Sequence, residues 1–156
     1  WSTKKKMTRK RRRFTTDISS LLFADTWGWC VSANPREVQH QTVRQIMETT
    51  LQAKSHLIAT NFILDETYTL VRFRVHHQVS IELHQKIERL IVGKLLKVIH
   101  ITPELEDAAW RIFERYSDKD FSFTDCTSFA VMQLLGLTQA LTNDHHFEQM
   151  GFHILP

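Results

Sequence analysis

The chain has 156 residues, 42% hydrophobic and 24% charged, which suits a single soluble domain with a real core. No apolar run approaches the roughly 18 residues of a membrane span, and the basic N-terminus lacks the hydrophobic stretch of a secretory signal, so a cytoplasmic protein is expected. Charge is unevenly placed: of 20 Lys and Arg, eight fall in residues 1–14 with no acid among them, leaving 12 basic against 17 acidic residues, a net of −5, in the remainder.

Residues 1–17 therefore read as a solvated, disordered basic tail and residues 18–156 as one folded domain. Such a tail could bind nucleic acid. Trp1-Ser2-Thr3 lacks an initiator Met, and Met7 is a candidate natural start. Leu21–Ala24 is a short apolar run that predicts a first strand. Residues 26–33 predict a short helix ended by the breaker pair Asn34-Pro35. From Glu37 to about Ala53, Val38, Val43, Ile46, Met47 and Leu51 recur at helical spacing. His56–Thr60 predicts a second, buried strand, and Asn61 an N-cap for a helix with Ile63, Leu64, Thr67, Leu70 and Val71 on one face. Gln78 to Gly93 predicts another helix, with Ile81, Ile87, Leu90 and Ile91 inward, and Lys97–Ile101 a third strand. Pro103 suits the first turn of a helix to about Tyr116, with Glu104, Glu106 and Asp107 near its positive end. Ser122 with Asp125 has the spacing of a capping box for a helix to Leu135, stopped by Gly136. Thr138–Thr142, a short helix over Asp144–Met150 and a strand over Phe152–Leu155 complete the chain. This alternation predicts an α/β fold: a parallel sheet of about five strands covered by helices on both faces.

Four carboxylates stand at the start of, or inside, apolar segments: Asp25, Glu66, Asp125 and Asp144. Acids are rarely buried unless paired or metal-bound. In a parallel sheet, ligands bind beyond the carboxyl ends of the strands, and the order of elements can bring all four acids to that edge. Gathered there, they would repel one another unless a cation sat among them. Carboxylates without a cysteine partner suit Mg²⁺ or Mn²⁺, and a site of that kind suits phosphodiester hydrolysis. Each acid also has a plainer reading. Asp25, Asp125 and Asp144 can each cap a helix, and either Asp65 or Glu66 can be a solvated helix charge. The apolar stripe favours Glu66, since Asp65 lies about 100° away around the helix.

The nine histidines include the adjacent pairs His76-His77 and His145-His146, but no HExxH and no His/Cys zinc spacing occurs. His145 is close enough in sequence to Asp144 to touch a substrate there. GxGxxG, GxxxxGK[ST] and GxSxG are absent, which removes the common nucleotide-binding and serine-hydrolase readings. Cys30 and Cys126 are far apart and predict free thiols. Trp27 and Trp29 read as core or subunit-contact residues, or as platforms for a base.

Four segments resemble the PIN-domain ribonucleases of the VapC type, the toxins of type II toxin–antitoxin pairs. They are Leu22-Phe23-Ala24-Asp25-Thr26, Asn34-Pro35-Arg36-Glu37, Phe123 to Met132 around Asp125, and Leu141-Thr142-Asn143-Asp144-His145-His146-Phe147 followed by Gly151-Phe152. Glu66 falls where the family's second acid would. The resemblance, spanning about Leu21 to Leu155, implies a PIN-like three-layer sandwich. It implies Mg²⁺ or Mn²⁺ held by Asp25, Glu66, Asp125 and Asp144, and endonucleolytic cleavage of RNA. It also implies a homodimer neutralised by a small antitoxin. Thr26, Thr124 and Asn143 are expected to support the metal-binding acids, and Arg72 and Arg74 to contact phosphate. Where many members have Ser or Asn after Asp-Thr, this chain has Trp27. The alternatives are a catalytically inactive RNA-binding PIN-like module, and a metal-dependent nuclease for structured DNA or a phosphatase using the same metal chemistry.

Overall fold

The computed structural model describes residues 21–156; the basic tail lies outside the described residues. Five strands, β1 (Leu22–Ala24), β2 (Leu57–Thr60), β3 (Leu96–Ile99), β4 (Gln139–Leu141) and β5 (His153–Leu155), form one sheet in the order β3-β2-β1-β4-β5. Every pairing is parallel. Seven helices accompany it among the described residues: α1 (Thr26–Ala33), α2 (His40–Gln52), α3 (Asn61–Arg74), α4 (His77–Val92), α5 (Pro103–Arg115), α6 (Phe123–Leu135) and α7 (His145–Gln149).

Every residue of β1 and β2 is buried. Successive strand residues point to opposite faces, so burial without alternation means that both faces are covered. The helices pack as two main groups: α1 with α2 and α3, α3 with α4, and separately α5 with α6. This is the expected three-layer α/β sandwich. Its core runs through Phe23, Trp29, Ile63, Phe129, Met132 and Phe147, each fully buried. The Trp29 indole N–H donates to the Ala24 carbonyl at 3.1 Å, which ties α1 to β1.

Gly28 decides how closely α1 can approach the sheet. A Cβ there would lie 2.9 Å from both Leu141 Cγ and the Leu141 carbonyl oxygen, so only glycine lets α1 lie against the end of β4. The capping box at Ser122 and Asp125 is present, and Gly136 ends α6 with φ of 66°.

Several sequence expectations need correction. Asn61 does not cap α3. The Thr60 hydroxyl accepts the Ile63 N–H, while Asn61 Oδ1 accepts the Ile101 N–H at 2.8 Å and ties α3 to the segment after β3. The helix expected from Glu37 begins at His40, and Val38 is 99% exposed rather than inward. On α4 the buried positions are Leu83 and Ile87, with Ile81 exposed. Val38 fits the helical periodicity, yet it precedes the first turn of α2, where the chain is not helical.

Candidate active site

The chain visits β1, β2 and β3 on one side, then returns to place β4 and β5 on the other side of β1. The order reverses between β1 and β4, and a crevice opens at the carboxyl end of such a junction. Asp25 follows β1 immediately and Asp144 lies three residues beyond the end of β4. The Asp25 N–H donates to the Leu141 carbonyl at 3.2 Å, and the Thr142 hydroxyl donates to Asp25 Oδ2 at 2.8 Å, so the two strand ends lock together. A cavity of about 610 Å³ lies there, lined by all four acids, Asp25, Glu66, Asp125 and Asp144.

Asp25 occupies the N-cap position of α1 but makes no side-chain cap bond. Its Oδ2 accepts the Thr142 hydroxyl instead, contrary to the plainer capping reading. Burial pushes the Asp25 carboxyl from an ordinary 3.8 up to about 7. The hydrogen bonds from Thr142 and the Thr26 backbone pull it down, and the charges of Asp125 and Asp144 push it further up. Asp125 serves two roles. Its Oδ2 accepts the Ser122 N–H at 2.8 Å in the capping box, and it also lines the cavity. A carboxylate has about four acceptor positions, so capping leaves the others available. Burial raises the Asp125 carboxyl too; the Ser122 backbone bond opposes this and Asp144 adds to it. Asp144 caps α7 through Oδ1, which accepts the His146 N–H at 2.9 Å. Glu66 is held from across the cavity: the Thr26 hydroxyl donates to Glu66 Oε2 at 2.8 Å, joining α1 to α3.

The remaining expected residues divide. Asn143, Arg74, Trp27 and His145 line the same cavity. Thr124 borders a neighbouring depression that shares Glu66. Arg72 lies elsewhere, 2.6 Å from His77 Nδ1 on an exposed face, so it is not among the cavity groups. Asp65 is not among the cavity groups either: it borders the depression shared by Glu66 and Thr124, and a separate cavity of about 800 Å³ beside β3 that contains none of the four acids.

Three polar residues of the site were not foreseen as functional. Thr142 holds Asp25, Glu37 joins the cavity wall, and His146 places Nδ1 3.2 Å from Asp144 Oδ1 and 3.5 Å from Asp125 Oδ2. A polar residue directly at a strand end beside an acid was the available signal for Thr142. His146 gave none, because its neighbour Asp125 is remote in sequence. Asp144, His145 and His146 each bring a potential ligand atom within 4.8 Å of the others. Cys30 and Cys126 are free, and burial raises the Cys30 thiol to about 11, which disfavours a thiolate in the cavity.

The PIN domain family matches residues 30–153. The chain belongs to the PIN domain family. Within it the chain is of the VapC ribonuclease type. It is 30% identical over 133 residues to the 23S rRNA-specific endonuclease VapC20 of Mycobacterium tuberculosis, covering 85% of this chain and 95% of that protein. It is also 30% identical over 104 residues to a VapC ribonuclease of Archaeoglobus fulgidus, covering 65% of this chain and 64% of the relative. The crystal structure of VapC20, described as a sarcin–ricin loop cleaving toxin, superposes with a TM-score of 0.70 over 84% of this chain and 95% of its own. FitAcB from Neisseria gonorrhoeae shares the fold, with a TM-score of 0.63 at 14% identity over 86% of this chain and 96% of its own. This PIN domain is therefore a nuclease, and nucleases of this type depend on divalent metal ions. The donor set agrees: four carboxylates with no accessible thiolate suit a hard cation. Among the described residues no helix is long and apolar enough to cross a membrane.

Proposed function

We propose that this protein is a Mg²⁺- or Mn²⁺-dependent endoribonuclease, the toxin of a toxin–antitoxin pair, with Asp25, Glu66, Asp125 and Asp144 as its metal-binding acids. The observation that carries the reading is the burial of Asp25 at the β1–β4 junction with the other three acids on the same cavity. Burying one carboxylate beside three others is unfavourable unless a positive charge joins them. A bound divalent cation supplies that charge, offsets the charge of a phosphate and lowers the pKa of a water.

The chain's own residues do the positioning. Thr142 and Thr26 fix Asp25 and Glu66, each through a hydroxyl donor. The capping bonds hold Asp125 and Asp144 at the first turns of α6 and α7. Arg74, on the cavity wall, is suited to a phosphate oxygen of the RNA, and Asn143 and His145 to polar groups of the substrate. Since VapC20 is a 23S rRNA-specific endonuclease, 23S rRNA is the substrate to try first. A small antitoxin that covers the cavity, and a homodimer, complete the reading.

The test is cleavage of 23S rRNA and of a short RNA carrying its sarcin–ricin loop, with Mg²⁺, Mn²⁺ or EDTA, alongside single-stranded and branched DNA. RNA should be cut at defined positions and EDTA should stop the reaction. Asp125→Asn should fold normally, because an amide oxygen still accepts the Ser122 N–H, and should lose cleavage. Equal cutting by Asp125→Asn and the parent, or cleavage that persists in EDTA, overturns the proposal.

A further inference from the structure

The site holds one group that the four-acid scheme does not use. His146 Nδ1 is fully shielded from solvent, yet forms no well-shaped hydrogen bond. It lies between two carboxylates, 3.2 Å from Asp144 Oδ1 and 3.5 Å from Asp125 Oδ2. The ring itself is firmly seated. It meets Phe121 edge to face at 5.3 Å and lies 4.5 Å from the His145 ring.

The two oxygens that face Nδ1 are informative. Asp144 Oδ1 already accepts the His146 backbone N–H, and Asp125 Oδ2 already accepts the Ser122 N–H. These are the oxygens committed to the protein's own donors, so His146 stands behind the two carboxylates. A lone pair on Nδ1 would face two acceptor oxygens and be repelled. A proton on Nδ1 would be shared between them and would strengthen both contacts. A neutral imidazole already carries one such proton, so the role needs no change of charge.

We infer that His146 is a positioning residue that donates from Nδ1 to Asp125 and Asp144 together, setting the orientation of both carboxylates toward the cation. The inference rests on the metal site proposed above. Groups of this kind, behind the ligands, are worth about 10- to 100-fold in metal affinity. Donation from the Nδ1 position also predicts which replacements succeed. The Asn amide nitrogen falls near Nδ1, whereas the Gln amide nitrogen falls near Nε2.

The experiment is Mn²⁺ titration of the intact protein, reading free Mn²⁺ by electron paramagnetic resonance, with thermal unfolding in EDTA run in parallel. His146→Leu and His146→Gln should weaken Mn²⁺ binding about 10-fold or more. His146→Asn should stay within about 3-fold of the parent, since it keeps the shared donor. Long-range ¹H–¹⁵N spectra of the parent should show a protonated Nδ1. Unchanged binding by His146→Leu, an Asn variant as weak as Gln, or an unprotonated Nδ1 overturns the inference. A parent protein that binds no Mn²⁺ instead overturns the metal site itself.

Discussion

Replacing Asp25 by asparagine should stabilise the metal-free protein, by an amount that grows with pH. Asp25 is buried, and its carboxyl titrates near 7 in the fold against an ordinary 3.8. A group whose folded value is raised adds most stability below its unfolded value and loses it as pH climbs to the folded value. The window is therefore about pH 4 to 7. At about 1.4 kcal/mol per pH unit, holding Asp25 ionised above pH 7 costs the fold about 4 kcal/mol, an order-of-magnitude figure. Asparagine has nearly the same shape, still accepts the Thr142 hydroxyl and carries no charge. Urea unfolding in EDTA should show Asp25→Asn gaining less than about 1 kcal/mol near pH 4 and several kcal/mol at pH 8. With saturating Mg²⁺ or Mn²⁺ at pH 8 the order should reverse, since the parent gains binding energy that the variant has lost. A difference that does not vary with pH, or an asparagine variant less stable at pH 8 in EDTA, would refute the electrostatic account of this site.

Three further outcomes are expected. Thr142→Val removes the donor to Asp25 Oδ2, so the Asp25 carboxyl should rise further and the pH midpoint of cation binding should move up by about one unit, measurable by Mn²⁺ titration across pH. Arg74→Ala should raise KM for RNA about tenfold at nearly constant kcat, whereas Arg72→Ala should leave both unchanged, because only Arg74 lies on the cavity. Removing residues 1–14, with their eight basic groups, should lower the slope of log K for RNA binding against log salt by up to about 6 if those groups meet phosphates, as filter binding between 50 and 300 mM salt can measure.

Periodicity and capping chemistry act over a few residues, so a linear reading could recover them. The capping box of Ser122 and Asp125, Pro103 at the first turn of α5 and the left-handed stop at Gly136 all stand where the residue types predict. The alternation of apolar strands with amphipathic helices determined a parallel α/β sheet, and the positions of four acids determined a candidate cation site. The tertiary structure decided what depends on distant partners. Whether Asp25 served its helix or the cavity turned on Thr142, 117 residues away. Glu66 depended on Thr26, 40 residues earlier, and the role of Asn61 on Ile101. His146 acquires its meaning only because α6 and α7 bring Asp125 and Asp144 to the same nitrogen. Local rules specify which groups are present and which elements carry them. The strand order β3-β2-β1-β4-β5 specifies which of those groups meet, because burial and charge act through space rather than along the chain.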